Sequence, residues 1–109
     1  MTSGMITAAA AGTWKLGDRE VNRVGYGTMR LTGNGMAGNS DGNPIDRDVA
    51  VGLLRRAVEL GVNHIDTAAF YFCSTRSANE LINRALGPYR DDLVIVTKVG
   101  PGRSPSGEW

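Results

Sequence analysis

Three polar side chains stand out by type and spacing. Asp66 closes the short run 62–66, Lys98 follows the largely apolar run 93–97, and Tyr71 lies five residues beyond Asp66. Each run reads as a short strand, and neighbouring strands lie about 5 Å apart. An aspartate and a lysine at adjacent strand ends can therefore pair, and a tyrosine on the intervening loop can fold back over them. Such a group suits proton transfer to a carbonyl oxygen. A free phenol titrates near ~10 and is a poor acid at neutral pH. A cation beside it favours the phenolate and so makes it a better donor. The aspartate would hold the lysine and compensate its charge. Each residue alone has a plainer explanation, as a salt bridge at a strand end or a packed loop tyrosine. Their grouping at successive ends of one face leaves the chemical and the structural readings both open.

The elements that must position these residues follow from periodicity and turn chemistry. Met1–Gly12 is small and apolar, with the run Ala8–Ala11, and lacks the basic start and Leu-rich core of a secretory signal. It reads as a flexible leader. Thr13–Val24 reads as a hairpin, with Trp14-Lys15-Leu16 and Glu20-Val21 flanking Gly17-Asp18-Arg19. Val21–Met29 carries a short strand on Val24, Tyr26 and Thr28, interrupted by Gly25 and Gly27. Such glycines mark places where another backbone or a ligand comes close. Leu31–Asn43 is rich in glycine and asparagine and reads as a loop, either of low complexity or the rim of a binding site.

Asp46–Leu60 has helical spacing through Val49, Leu53, Ala57 and Leu60, a stripe widened by Ala50 and Leu54. Asp46 and Asp48 suit the positive end of the helix dipole, and Gly61 is a stop signal. Val62–Asp66 is the next strand. Ser77-Ala78-Asn79-Glu80 has the form of a capping box. It opens a helix whose apolar face is Ala78, Leu81, Ile82, Ala85 and Leu86 and which ends at Gly87-Pro88. Leu93–Thr97 is a largely apolar, β-rich run and reads as a buried parallel strand. From Gly100 onward glycine and proline indicate a loop. Strands alternating with helices imply right-handed βαβ units and a parallel sheet. Either a doubly wound sheet or an eightfold barrel begins this way, and both bind ligands beyond the carboxyl ends of their strands.

Composition narrows the function classes. The 109 residues suffice for one small domain. Hydrophobic residues at 41% and charged residues at 21% are those of an ordinary globular chain, which argues against disorder. A formal net charge of +1 gives no field that would steer the chain to nucleic acid or an anionic membrane. No run approaches the ~20 apolar residues of a membrane helix. Cys73 is the single cysteine, so no internal disulfide forms and a reducing cytoplasm is the expected compartment. Cys73 and the single histidine, His64, make no metal site. Gly25-Tyr26-Gly27 lacks the third glycine and following helix of a dinucleotide fingerprint, and there is no P-loop. Arg55-Arg56 reads as a solvated helix face.

Several stretches together resemble the aldo-keto reductases. They are Gly61-Val62-Asn63-His64-Ile65-Asp66-Thr67-Ala68, then Tyr71, Asn79-Glu80-Leu81-Ile82, Ala85-Leu86, and Asp91 through Gly100. The resemblance runs from about Thr13 to Gly100. It implies an α/β fold, an incomplete (β/α)8 TIM barrel made of an N-terminal hairpin and the first three β/α-type strands, over residues 13–109. It implies that Asp66, Tyr71 and Lys98 are three members of the family's catalytic tetrad. Gly27, Thr28, Met29 and Arg30, with Asp66, would contact the cofactor, and Gly27-Thr28-Met29-Arg30 resembles the family's first strand end, on the nicotinamide side. The cofactor implied is NADPH, with NADH left open, and the substrate a small carbonyl compound protonated by Tyr71. The sequence departs from the family at Phe72, where glycine is usual, at Ala69, where an acid is common, and across Phe72–Arg76. The tetrad histidine belongs to a fourth strand, beyond Trp109, and His64 is expected to be structural. The expectation is therefore a truncated, inactive piece of a cytoplasmic NADP-dependent reductase. The rival reading is a non-catalytic binding or regulatory module. Leu93–Val96 would leave an open sheet edge through which the chain could self-associate.

Overall fold

In the computed structural model, residues 6–32, 46–73, 76–100, 102 and 104 are described. The expected Gly/Asn-rich loop falls mostly on residues 33–45, which lie outside them, as do Ser74 and Thr75 and most of the expected tail.

The first element is the hairpin. Strands β1 (Thr13–Leu16) and β2 (Arg19–Asn22) pair antiparallel, with Trp14 opposite Val21. Gly17 adopts φ 65°, the left-handed conformation that glycine takes without a Cβ clash, so Gly17-Asp18 closes the turn. Arg19 is the first residue of β2 and not part of the turn. Asn22 ties the hairpin to the rest of the chain: its N–H donates to Asn63 Oδ1 (2.8 Å) and its side-chain amide to the Gly61 carbonyl (2.6 Å).

Three parallel strands form the central sheet, in the order β3 (Tyr26–Gly27), β4 (His64–Asp66), β7 (Val94–Val96). In the chain between β4 and β7, β5 (Phe72–Cys73) and β6 (Arg76–Ser77) form a separate small antiparallel ladder. Spatial order follows chain order, as at the start of a barrel. The strand expected across Val21–Met29 is shorter than its alternation suggests. Val21 belongs to β2, and only Tyr26 and Gly27 pair with β4. Past Gly27 the Thr28 N–H donates to the Asp66 carbonyl (3.1 Å), and Met29–Thr32 coil into a 3-10 turn.

Helix α1 (Arg47–Glu59) begins on Asp46, whose carboxylate accepts the Asp48 and Val49 N–H groups, in keeping with the dipole argument. Its buried face is Ala50, Val51 and Leu54, whereas Val49 is 55% and Leu53 43% exposed. The observed face is thus displaced by about one residue from the expected stripe, because period alone fixes an apolar face only to within a neighbouring position. Helix α2 (Ala78–Leu86) is capped by Ser77 Oγ, which accepts the Glu80 N–H. The Glu80 carboxylate is engaged by Arg47 of α1, and Arg55 of α1 donates to the Ala85 carbonyl at the end of α2 (3.0 Å). The two helices pack on the sheet around Leu54, Ile65, Leu81 and Ile82, all essentially sealed from solvent.

Within the expected leader, Ala8–Ala11 form a 3-10 turn seated on the end of α1, with the Ala8 N–H donating to Leu60 O (2.7 Å). One further expectation is corrected. Strand β7 is half-buried rather than buried, because β4 covers one of its edges and no described strand covers the other.

Candidate active site

Asp66 ends β4, with its Cα in register with Gly27 on one side and Val96 on the other. Lys98 lies just past β7, so the two side chains leave the same end of the sheet. Tyr71 returns to them because the chain turns at once after β4. The Tyr71 N–H donates to Ala68 O (3.1 Å) and the Phe72 N–H to Phe70 O (3.0 Å). The Tyr71 carbonyl then accepts the Ala78 N–H (2.9 Å), which fastens the loop to the first turn of α2. Ala68, Phe70 and Ala78 pack around the phenol ring, with Met29 against them. Phe70 meets the ring edge-on at 5.2 Å. Tyr71 is only 6% exposed, so its ring is held and its oxygen has few places to go.

Lys98 is the hub. Its Nζ donates to Asp66 Oδ1 (3.0 Å) and Oδ2 (2.9 Å), to the Thr67 carbonyl (3.1 Å) and to Tyr71 Oη (2.8 Å). An ammonium has three N–H bonds. One serves the Asp66 carboxylate, shared between its oxygens, one the carbonyl and one the phenol. The ammonium also lies 4.7 Å from the Tyr71 ring centroid. Partial burial works against the Lys98 charge, but the hydrogen bonds to Asp66 and then Tyr71 outweigh it and hold the ammonium above its usual pKa. The group is open on one side, the Lys98 and Asp66 side chains being 37% and 49% exposed.

This arrangement has a chemical consequence. The phenol oxygen accepts a hydrogen bond from Lys98, so the phenol's own hydrogen must point elsewhere. A carbonyl oxygen beside Tyr71 would find a donor backed by a cation and kept in place by a carboxylate.

Gly27-Thr28-Met29-Arg30 flank Asp66 at the same sheet end. A Cβ on Gly27 would meet nothing within 4 Å, so there is open space beside Asp66 among the described residues. Thr28 is fully buried, and its hydroxyl lies within hydrogen-bond reach of Thr67 Oγ1 (2.9 Å) and Asp66 O (3.1 Å). Its side chain is turned into the protein, and only backbone and neighbours remain for a ligand. Arg30 is exposed on the 3-10 turn.

His64 sits toward the other end of β4, in register with Val94. Its imidazole occupies the space where a Gly25 Cβ would stand. Gly25 is therefore the close-approach glycine and Gly27 the open one. The His64 Nδ1 is buried without a partner among the described residues. Among the described residues no cluster of His, Cys, Asp and Glu could hold a metal.

Sequence reasoning missed the part of Thr67. Its hydroxyl donates to Asn79 Oδ1 (2.8 Å) and accepts from Thr28, while its carbonyl holds Lys98. The available signal was a threonine immediately after the strand-end aspartate and an asparagine in the first turn of the next helix.

Comparison with known proteins gives a consistent result. Residues 23–108 match the model of the aldo/keto reductase family. The chain is 48% identical over 100 residues to pyridoxine 4-dehydrogenase of Escherichia coli, covering 92% of this chain and 33% of that protein. It is 40% identical over 107 residues to an uncharacterised oxidoreductase of Schizosaccharomyces pombe, covering 98% of this chain and again 33% of the relative. A crystal structure described as an aldo-keto reductase from Pseudomonas aeruginosa superposes with a TM-score of 0.65 at 30% identity, over 92% of this chain and 38% of that one. The chain thus spans about a third of the length of the curated relatives it matches.

Proposed function

The chain belongs to the aldo/keto reductase family, and we propose that it carries the proton-donating part of an NADP-linked oxidoreductase that interconverts small aldehydes or ketones and their alcohols. The observation that carries this reading is the Lys98 ammonium, bonded at once to both oxygens of Asp66 and to Tyr71 Oη.

In the direction of reduction, the carbonyl oxygen sits at the free side of Tyr71 Oη. A nicotinamide cofactor, when bound, would supply the hydride that the carbonyl carbon takes up. Tyr71 gives its proton to the oxygen as negative charge develops there. Lys98 then stabilises the charge left on the phenol oxygen, and Asp66 keeps the lysine charged and aimed. The packing of Phe70 and Ala78 around Tyr71 fixes the line of transfer, as general acid catalysis requires donor and acceptor within hydrogen-bond reach.

The residues present fit such a cofactor. Gly27, in register with Asp66, has no atom within 4 Å of where a Cβ would stand, so that strand end would leave room for such a group. Met29 and Arg30 flank that strand end. NADPH is the proposed cofactor, by family likeness, and NADH the alternative the assay must include. The relative named for pyridoxine suggests a first substrate class, aromatic aldehydes of the pyridoxal type and the corresponding alcohols. No described helix is long and apolar enough to cross a membrane. The lone Cys73 fits a reducing compartment, so the cytoplasm is the proposed location.

The test joins this chain to the C-terminal two thirds of the Escherichia coli relative and follows oxidation of NADPH with pyridoxal. Turnover within about tenfold of a typical enzyme rate of ~10 s⁻¹ is expected. A folded fusion with no turnover on any aldehyde or ketone, with either nicotinamide, would overturn the reading.

A further inference from the structure

Lys98 needs more than its carboxylate to aim at Tyr71. A lysine tail is long and freely rotating, and a carboxylate with two equivalent oxygens lets an ammonium slide between them. What fixes the third direction is the Thr67 carbonyl at 3.1 Å. That carbonyl is unusually well anchored. Thr67 is 1% exposed, and its N–H donates to Val96 O (2.8 Å). Its hydroxyl donates to Asn79 Oδ1 (2.8 Å) in the first turn of α2 and accepts from Thr28 Oγ1 (2.9 Å) just past β3. The N–H, carbonyl and hydroxyl of this residue are all engaged. They bring β7, α2, the end of β3 and Lys98 to a single peptide.

From this geometry we propose that Thr67 is a positioning residue for Lys98: the hydrogen-bonded chain Thr28–Thr67–Asn79 fixes the carbonyl that directs the remaining ammonium N–H at Tyr71. The inference rests on the reading of Tyr71 as the proton donor. Thr67 touches neither substrate nor cofactor in this account and acts only through the lysine. With the hydroxyl gone, the peptide would be free to tilt. The ammonium would lose a defined acceptor, and its hydrogen bond to the phenol would lengthen or wander. A small misplacement of a group that supports a reacting one costs rate rather than affinity.

The experiment uses the fusion described above, with Thr67→Val, which keeps the shape and the carbonyl but deletes the hydroxyl, and Thr67→Ser, which restores it. The readouts are kcat and KM separately across pH, and the titration of Lys98 by side-chain NMR. Thr67→Val is expected to lower kcat about tenfold with KM little changed, to bring the alkaline limb of the rate to lower pH, and to lower the pH at which Lys98 titrates. Thr67→Ser should recover most of each. Should Thr67→Val fold poorly, Asn79→Ala removes the same acceptor from an exposed position and is read identically. A merely structural Thr67 would lower the melting temperature and the folded fraction but leave kcat per folded molecule, the pH profile and the Lys98 titration unmoved, and that result would overturn the proposal. An inactive parent fusion would sink the proton-donor reading instead. The NMR comparison of Thr67→Val with the parent would still decide whether Thr67 holds Lys98.

Discussion

Replacing Asp66 by asparagine separates charge from hydrogen bonding at the hub of the site. The new amide would still offer one oxygen to Lys98, and the lysine would keep the Thr67 carbonyl and Tyr71 Oη. What disappears is the negative charge 2.9 Å from Nζ. At such a distance two unit charges attract by roughly 1–1.5 kcal/mol in a water-like medium, less once salt screens them, and several times more in a protein-like one. With side chains 37% and 49% exposed, the water-like end applies. About 1 kcal/mol corresponds to somewhat less than one pH unit. The sign follows from which form is stabilised. Asp66 favours the ammonium and holds the Lys98 pKa above its usual value of 10.5, so its loss brings that pKa down. The alkaline limb of the fusion's activity should therefore move down by roughly half to one pH unit. At neutral pH Lys98 stays charged in both proteins, so the rate lost there, about tenfold or more, reflects aim and field rather than protonation. Stability follows the same linkage. A lysine whose folded pKa is raised contributes stability below its unfolded pKa and loses it as pH rises through the folded pKa. The Asp66→Asn penalty should thus be at most about 1 kcal/mol at neutral pH and vanish in strong alkali. Rate–pH profiles and urea melts measure both. An alkaline limb that stays in place, or moves upward, would refute the argument that Asp66 sustains the lysine.

Three other outcomes are expected. Gly27→Ala should leave the unfolding free energy from urea melts within about 0.5 kcal/mol of the parent, because its Cβ would meet nothing within 4 Å, yet raise the cofactor Kd of the fusion; an unchanged Kd would remove the cofactor from the space at Gly27. Leu54→Ala should cost about 2–5 kcal/mol and Leu53→Ala no more than about 0.5, since Leu54 is sealed and Leu53 is 43% exposed; equal costs in urea melts would contradict the observed helix face. Finally, the 109-residue chain alone should self-associate through its exposed apolar residues and the β7 edge that no described strand covers, so that size-exclusion chromatography gives a mass above 11.6 kDa that rises with concentration, whereas a concentration-independent monomer would contradict this.

Much of the site was legible because strand ends are. The run before Lys98 is largely apolar, the short run ending at Asp66 follows a helix stop at Gly61, and one helix separates the two, so parallel order puts both side chains at one end. The return of Tyr71 was legible only as a possibility of loop length. The turn bonds at Ala68 and Phe70 and the ladder of Phe72–Cys73 with Arg76–Ser77 have no periodic signature. The face of α1 departs from expectation because Val49 and Leu53 continue the same spacing as Ala50 and Leu54, and only the position of the sheet tells them apart. The strand through Tyr26 is shorter than expected because Val24, Tyr26 and Thr28 alternate properly, while the coil that follows is set by a tertiary bond from Thr28 to Asp66. The chain of hydroxyls through Thr67 was invisible for a related reason: a buried threonine and a surface one look alike until their partners are placed.

The account's central claim is that Tyr71 is the proton donor, and Tyr71→Phe in the fusion tests it most directly, with carbonyl reduction and cofactor affinity measured on the same preparation. The ring and its packing against Phe70 and Ala78 persist, and only the hydroxyl is lost. The account predicts a fall in the reduction rate of about a hundredfold or more with the cofactor Kd little changed. A variant that keeps its rate, at unchanged cofactor affinity, would contradict it.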